Sequence, residues 1–217
     1  MAVARRLGPL TRDCLAEIPG PCGSCVRWEF DAVHRARVER DGIGAEAKAD
    51  WLSSTLLDWG SCGQVVRVDG VVAGYALYAP PAYLPGLAAY ATAPVSADAV
   101  ALSTMRVAAE YAGRGIARML IQGMAADLVR RGVRAVEAIT TTHPADVPGD
   151  AGGCLIPADF LLAVGFNTIR AHPRTPRVRL DLRTTLTWRE DVVEAAMERL
   201  LGRRQQVGAL PLQAPTE

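Results

Sequence analysis

Lysine is almost absent from the sequence, since Lys48 is the only lysine among 24 basic residues and arginine supplies the rest. These bases exceed the 23 acidic residues by one, which leaves a formal net charge of +1. A chain with so little net charge has no strong overall field to attract nucleic acid or an anionic membrane. We therefore expect neither as a partner.

Apolar stretches that would direct secretion or span a membrane are also lacking. Residues Met1 to Cys14 include three arginines and no apolar run long enough for a signal peptide. Residues 70–97 carry no charge and are long enough to cross a bilayer, but Pro80, Pro81 and further prolines interrupt them. Prolines at this density prevent a membrane-spanning helix. The sequence predicts a soluble, cytoplasmic protein.

Disorder and disulfide-stabilised mini-proteins are excluded by composition, because half of the 217 residues are apolar and 22% are charged. No internal repeat or low-complexity linker divides the chain. We expect a single domain over residues 1–202. The polar, proline-containing residues 203–217 are predicted to be a disordered tail.

Five cysteines, an odd number, favour reduced thiols over a disulfide framework. The pair Cys22-Gly-Ser-Cys25 could instead form half of a zinc site, completed by isolated cysteines or a histidine, or a redox pair. A thioredoxin-like pair would open a helix, whereas Val26 to Phe30 is predicted to be a strand that follows a loop. Plain thiols are the favoured alternative, and no metal is predicted.

Hydrophobic periodicity and turn residues predict most elements of the first half. We expect a short strand at Leu7 to Leu10, a short helix from Thr11 and a longer helix at Ala45 to Trp59. A β-hairpin pairs Gln64 to Val68 with Val71 to Tyr78, because Asp-Gly between them supplies the positive φ angles of a type I′ turn.

A strand, a glycine turn, a helix and a second strand follow in the centre of the chain. The strand is predicted at Ala99 to Val107, the helix at Ile116 to Arg131 and the next strand at Val133 to Thr140. This order defines a βαβ unit. The later predictions are a helix from Pro157 to Gly165, strands at Phe166 to Arg170 and Arg177 to Leu182, and a last helix opened by a capping box at Thr187 to Glu190.

The segment from Val107 to Leu120 is the most informative one. Glycines at 113 and 115 let successive backbone N–H groups converge where a helix begins, and such an arrangement binds anions such as a diphosphate. Many glycine turns join strands to helices without binding a ligand. The spacing alone therefore leaves both alternatives, an anion site and a plain turn, open. The segment has neither the Gly-Lys-Ser/Thr of a P-loop nor the full dinucleotide fingerprint.

At this segment the sequence resembles the GNAT superfamily of N-acetyltransferases. The family motif, Arg or Gln, two residues, Gly, one residue, Gly or Ala, aligns on Ala112 to Ala117, and a late helix ends in the Gly-Phe typical of the family. The resemblance covers residues 62–183 through the order and spacing of its elements. It implies an α+β (mixed α/β) fold, with a mainly antiparallel, splayed mixed sheet flanked by helices.

The resemblance also implies acetyl-CoA as acyl donor and direct transfer to a primary amine, on a small molecule or a protein. The pyrophosphate would lie on the glycine turn, and the end of the preceding strand would bind the pantetheine. The cofactor-binding residues implied in this way are Met105, Arg106, Val107, Ala112, Gly113, Arg114, Gly115, Ile116, Ala117 and Arg118. A module of the same fold that binds acyl-CoA without turnover is the alternative.

The sequence departs from the family in the cofactor motif and at the usual positions of the acid and the base. Ala112 replaces the usual Arg or Gln, Leu161 stands where many members have a tyrosine, and no carboxylate lies on the strand from Ala99 to Val107. Glu137 and His143 are the candidate catalytic residues. Glu137 could equally pair with an arginine on the sheet, and His143 could be a solvated loop residue. Weaker candidates are Cys154 and Asp159, and proton transfer through water alone is a further alternative.

Two other features allow both functional and structural interpretations. Tyrosines 75, 78, 83 and 90 lie in an uncharged stretch that could line an acceptor pocket, belong to the core or form a homodimer surface. The arginine-rich segment from Arg170 to Arg179, with His172, could attract an acidic acceptor or a CoA phosphate, or be a solvated strand face.

Overall fold

The computed structural model describes residues 4–18, 20–143 and 154–182. Its strands are β1 (Arg5–Pro9), β2 (Gly63–Val68), β3 (Val71–Ala79), β4 (Ala99–Val107), β5 (Ala135–Thr141), β6 (Ile156–Pro157), β7 (Asn167–Arg170) and β8 (Arg177–Asp181). Its α-helices are α1 (Arg12–Leu15), α2 (Ala32–Asp41), α3 (Gly44–Asp58), α4 (Ile116–Arg130) and α5 (Ala158–Ala163).

The strands form one mixed sheet in the order β1-β2-β3-β4-β5-β8-β7, with β6 paired to β5 off this path. Strands β1 to β4 are antiparallel neighbours, and β8 is antiparallel to both β5 and β7. The pairing of β4 with β5 is parallel, because α4 carries the chain back between them. The predicted fold class, mainly antiparallel and flanked by helices, is confirmed.

The hairpin and the βαβ unit lie where the sequence predicts them. Asp69 and Gly70 have φ angles of 50° and 88°, as the predicted turn between β2 and β3 requires. Strand β4 has the predicted bounds, whereas α4 ends one residue early and β5 begins at Ala135. The local signals therefore located these elements to within two residues.

Two hydrophobic cores lie on opposite sides of the sheet. Successive side chains of β3 alternate between them: Tyr75 and Leu77 belong to one, Ala76 and Tyr78 to the other. The first core is covered by α1 and α3, and the second by α4 through its apolar stripe. The sheet is therefore the central layer of the domain, and both of its faces are buried.

The segment around residues 26–41 corrects the sequence prediction. Val26 to Phe30 is not a strand but a loop with turns, and it leads into α2, which the sequence analysis missed. Asp31 caps α2, because its Oδ1 accepts from the backbone N–H groups of Val33 and His34 at 2.8 and 2.9 Å. Only Val38 of α2 is buried, so the helix lacks the apolar stripe that would have predicted it.

Lys48 on α3 is buried, with 3% of the residue exposed. Its Nζ lies 2.7 Å from Oε1 of Glu29 and donates to the carbonyl oxygen of Cys25 at 2.6 Å. No helix of the described residues is long and apolar enough to cross a membrane. The predicted last helix and the predicted tail both lie outside the described residues.

Candidate active site

Strands β4 and β5 separate from each other in the middle of the sheet. They pair over three residues, Ala99–Ala101 with Ala135–Glu137, whereas β4 stays paired with β3 as far as Val107. The register of β3 and β4 shifts between Leu77 and Tyr78, so that Ser103 is an extra residue on β4, and its hydroxyl donates to the carbonyl of Leu77. We call the opening between residues 102–107 and β5 the wedge.

Backbone groups of β4 face the wedge. The N–H of Ala108 donates to the carbonyl of Ala73 at 2.9 Å, toward β3. Because hydrogen-bonding groups of an antiparallel strand alternate between its two edges, Arg106 also directs its N–H and C=O toward β3. The N–H and C=O groups of Met105 and Val107 then face the wedge. Of the three candidate cofactor-binding residues on β4, these two direct backbone groups into the wedge.

The glycine turn follows at the carboxyl end of β4. Gly113 and Gly115 have φ angles of 73° and 77°, and Gly115 is the N-cap of α4. The first N–H groups of an α-helix, here those of Ile116 and Ala117, point along the axis toward its N-terminal end. Together with the positive end of the helix dipole they favour an anion. The N–H of Arg114 instead donates to the carbonyl of Tyr111 at 3.3 Å, so it serves the turn itself.

Space and positive charge surround this turn. A Cβ atom built on Gly113 would meet no atom within 4 Å, and one built on Gly115 would lie 4.0 Å from Nη1 of Arg5. Arg5 is exposed on β1, and the Arg114 guanidinium lies 5.9 Å from the centre of the Tyr111 ring. Sequence reasoning missed Arg5, because no local pattern links β1 to the start of α4.

Glu137 lies at the closed end of the wedge and is completely buried. Its carboxylate contacts Nη1 of Arg177 at 3.2 Å and Nη1 of Arg179 at 3.0 Å, and accepts from the backbone N–H of Ser96. Arg179 also pairs with Asp98 at 2.8 Å, and this ion pair lowers the pKa of Asp98. These contacts give Glu137 a structural role, and two arginines of the segment 170–179 belong to the same network.

His143 is exposed and follows the end of β5. Its Nδ1 lies 3.0 Å from the Thr142 hydroxyl oxygen. Since β4 and β5 are parallel, the carboxyl end of β5 lies at the same edge of the sheet as the glycine turn. The structure therefore places His143 on the side of the wedge where the turn begins, and leaves its imidazole accessible.

Strand β6 occupies the edge of β5 that β4 has left. Thr140 and Thr141 of β5 pair with Ile156 and Pro157, while the backbone N–H of Thr140 donates to the carbonyl of Pro176 on the other edge. Cys154 precedes β6 by two residues, and its Sγ lies 3.8 Å from Sγ of Cys25. The loop that contains Cys25 thus reaches the border of the wedge.

Other candidate site residues lie in the core or on the surface of α5. Leu161 is fully buried in the core beneath α4, and Asp159 is exposed in the first turn of α5. Tyr75 and Tyr78 are core residues, and the Tyr78 hydroxyl donates to Oδ2 of Asp127 at 2.9 Å. Burial raises the pKa of the Tyr78 hydroxyl. These two tyrosines belong to the core rather than to an acceptor wall.

The arginine-rich segment makes hydrogen bonds within the fold. Arg170 donates to the carbonyl of Ala93, and Nδ1 of His172 accepts from the backbone N–H groups of Arg174 and Thr175. Within the described ranges no three histidine, cysteine, aspartate or glutamate side chains come together in a way that could hold a metal ion.

The sheet splays at the wedge, as the sequence resemblance implied, and the glycine turn and the N-terminus of α4 lie at the open end. A sequence model of the acetyltransferase (GNAT) family matches residues 27–148, which is more than half of the chain. The chain belongs to the GNAT acetyltransferase family. No significant match to a curated protein was found.

Solved structures share this fold. PaiA N-acetyltransferase from Thermoplasma acidophilum, in complex with coenzyme A, is 10% identical with a TM-score of 0.52, covering 82% of this chain and 99% of its own. YncA from Salmonella typhimurium, with its cofactor acetyl-CoA, is 17% identical with a TM-score of 0.53, covering 82% and 94%. The loading GNATL domain of CurA from Lyngbya majuscula is 12% identical with a TM-score of 0.53, covering 83% and 99%. At these identities the likeness concerns the fold.

Proposed function

We propose that this protein is an N-acetyltransferase that moves an acetyl group directly from acetyl-CoA to a primary amine, on a small molecule or on a protein. The observation that carries the proposal is the glycine turn at the start of α4, placed at the open end of the wedge. Family membership supports the acyl transfer, and the structures with coenzyme A and acetyl-CoA support the donor.

The residues of the turn fit the pyrophosphate of acetyl-CoA. Gly113 opens onto free space, the N–H groups of the first turn of α4 supply donors, and Arg5 brings a guanidinium next to Gly115. Arg114 adds further positive charge beside the turn. This chain therefore compensates with arginine side chains for the alanine at position 112.

The thioester arm would lie in the wedge. Met105 and Val107 present backbone N–H and C=O groups there, which can bind the amides of the pantetheine. Bound acetyl-CoA supplies an activated acetyl carbonyl. A backbone N–H directed at that carbonyl oxygen stabilises the negative charge that develops during attack by the amine.

We assign deprotonation of the incoming ammonium to His143 rather than to Glu137. The Glu137 carboxylate is buried between two arginines and an N–H donor, whereas the imidazole of His143 is exposed at the edge where the wedge opens. Histidine is also the residue type that ordinarily changes charge between about pH 5 and 8. His143 would accept the proton directly or through one water molecule.

Calorimetric titration with acetyl-CoA tests the site, using two matched tryptophan variants. Gly113 and Gly132 flank the two ends of α4, have φ angles of 73° and 72°, and a Cβ on either meets nothing within 4 Å. We expect Gly113→Trp to weaken binding at least tenfold, about 1.4 kcal/mol, and Gly132→Trp to bind as the unmodified protein does. Equal binding by all three proteins would refute the assignment of the turn.

Turnover separates the transferase from the alternative, an acyl-CoA-binding module without activity. Two observations favour that alternative: Leu161 supplies no hydroxyl, and Glu137 is fully engaged in ion pairs. Mass-spectrometric detection of acetylated product with a panel of small amines and N-terminal peptides decides between them. Binding of acetyl-CoA without acetylation of any amine would support the module.

A further inference from the structure

The thiols of Cys25 and Cys154 lie 129 residues apart in the sequence and 3.8 Å apart in space. Cys25 is half-buried in the loop before α2, and Cys154 is 9% exposed just ahead of β6. We propose that they form a reversible disulfide, so that the protein carries a dithiol site at the border of the wedge that reacts with low-molecular-weight disulfides. This inference does not depend on the acetyl transfer.

The surroundings hold Cys25 in place for this reaction. Lys48 donates to its carbonyl oxygen at 2.6 Å, and Lys48 is itself fixed by the buried carboxylate of Glu29. A disulfide has an S–S distance of about 2.05 Å, so the two sulfurs need only a small approach from their present separation.

Charge and hydrogen bonding make Cys25 the attacking thiol. A hydrogen bond from Cys154, a further one from the backbone N–H of Arg27 and the charge of Lys48 lower the pKa of Cys25 to about 6, against the effect of burial. The same pairing, together with burial, raises the pKa of Cys154, which keeps its proton. The thiolate of Cys25 is the nucleophile in thiol–disulfide exchange.

The exchange proceeds in two steps. The Cys25 thiolate attacks one sulfur of a disulfide such as oxidised glutathione, forms a mixed disulfide and expels one glutathione thiolate. Cys154 then loses its proton to solvent, attacks the Cys25 sulfur and expels the second glutathione thiolate. The two protein thiols are oxidised to one disulfide, and the glutathione disulfide is reduced to two thiols.

Cys22 is the competing partner. It is 3% exposed and belongs to the same hydrophobic core as Tyr75. Cys62 is fully buried, and burial raises its pKa to about 12, so it is the unreactive reference thiol. The geometry therefore favours Cys25 with Cys154 over the adjacent Cys22 with Cys25.

The test uses the reduced full-length protein, incubated with oxidised glutathione, alkylated under denaturing conditions and digested without reductant. We expect the intact mass to fall by about 2 Da before alkylation, and after digestion the peptide from Asp13 to Arg27 to be linked to the peptide that contains Cys154. The first peptide contains Cys14, Cys22 and Cys25, so cysteine variants identify which of them is linked to Cys154. Cys22→Ser should keep the linkage, whereas Cys25→Ser and Cys154→Ser should lose it, and dithiothreitol should reverse it.

Thermal unfolding of each reduced variant confirms that it folds, and Cys25→Ala replaces Cys25→Ser if the latter does not. Cys14→Ser serves as the control for removal of an unrelated thiol. A linkage within the peptide from Asp13 to Arg27, or cysteines that all remain free after exposure to the oxidant, would overturn the proposal. So would a linkage to the Cys154 peptide that persists in Cys25→Ser.

Discussion

The guanidinium of Arg131 lies over the ring of Trp59, 3.7 Å from its centre. The same group donates to the carbonyl oxygens of Trp59 and Ser61, both at 2.7 Å, and approaches Oδ2 of Asp127 at 3.3 Å. One side chain thus joins the end of α4 to the loop between α3 and β2. A planar group with several donors is needed to make all of these contacts at once.

Replacing Arg131 should therefore be costly. We expect Arg131→Ala to lower the free energy of unfolding by about 2–4 kcal/mol, because it loses two charged hydrogen bonds and the ring contact. Arg131→Lys should be more stable than Arg131→Ala but less stable than the original protein. Urea unfolding measures both, and Arg130→Ala, at a side chain that is 70% exposed, should change stability by less than about 0.5 kcal/mol.

Glu137→Gln separates the structural role of this residue from a catalytic one. Removing its charge leaves Arg177 and Arg179 facing each other without their shared buried partner, and the free energy of unfolding should fall by about 3 kcal/mol. Asp98→Asn, at a more exposed member of the network, should cost less. A Glu137→Gln protein that is as stable as the original but has lost acetyl transfer would instead identify Glu137 as the base.

Arg5→Ala tests the contribution of β1 to cofactor binding. Loss of a guanidinium next to Gly115 should weaken acetyl-CoA binding about fivefold at low salt, roughly 1 kcal/mol, and less at high salt because the contact is exposed. Arg37→Ala removes the same charge from an exposed position on α2 and is the control. If both variants bind alike in calorimetry, Arg5 does not contact the ligand.

The reactivity of Cys25 should depend on pH in a distinctive way. Only the thiolate is alkylated, so the rate should rise with pH around a midpoint near 6, where an ordinary cysteine has its midpoint near about 8.5. Cys154→Ala removes the hydrogen bond that contributes most to this shift and should move the midpoint upward. Iodoacetamide labelling followed by peptide mapping gives both profiles, and identical midpoints would contradict the prediction.

The buried ion pair of Lys48 and Glu29 predicts a coupled effect of two substitutions. Lys48→Met leaves the carboxylate without its cation and should cost about 3–5 kcal/mol. The double variant Lys48→Met with Glu29→Leu should be more stable than Lys48→Met alone, because no charge is left buried. Thermal and urea unfolding check this, and additive losses would show that the two side chains do not depend on each other.

The sequence predicts those parts of the fold and site that local signals determine. The hairpin follows from Asp69-Gly70, and α4 follows from its apolar stripe and flanking glycines. The loop from Val26 to Phe30 was mistaken for a strand because its buried side chains are placed by packing, with Gly86 donating from its backbone to the carbonyl of Trp28.

Contacts between distant segments could not be predicted in this way. No spacing rule connects Arg5 with Gly115 or Cys25 with Cys154, since the sheet order brings them together only after folding. The role of Glu137 was open for the same reason. A carboxylate on a buried strand can serve catalysis or pair with arginines, and the choice depends on β8, which lies about forty residues further along the chain.

The single, buried lysine has a consequence for the study of amine acetylation. A folded molecule offers no exposed lysine ε-amine within the described residues, so acetyl-lysine should not accumulate there during incubation with acetyl-CoA. Acylating reagents would reach Lys48 only after the layer formed by α3 and the loop that contains Cys25 has opened. The extent of its modification therefore reports how often that layer opens, and the protein contributes little background to an assay of lysine acceptors.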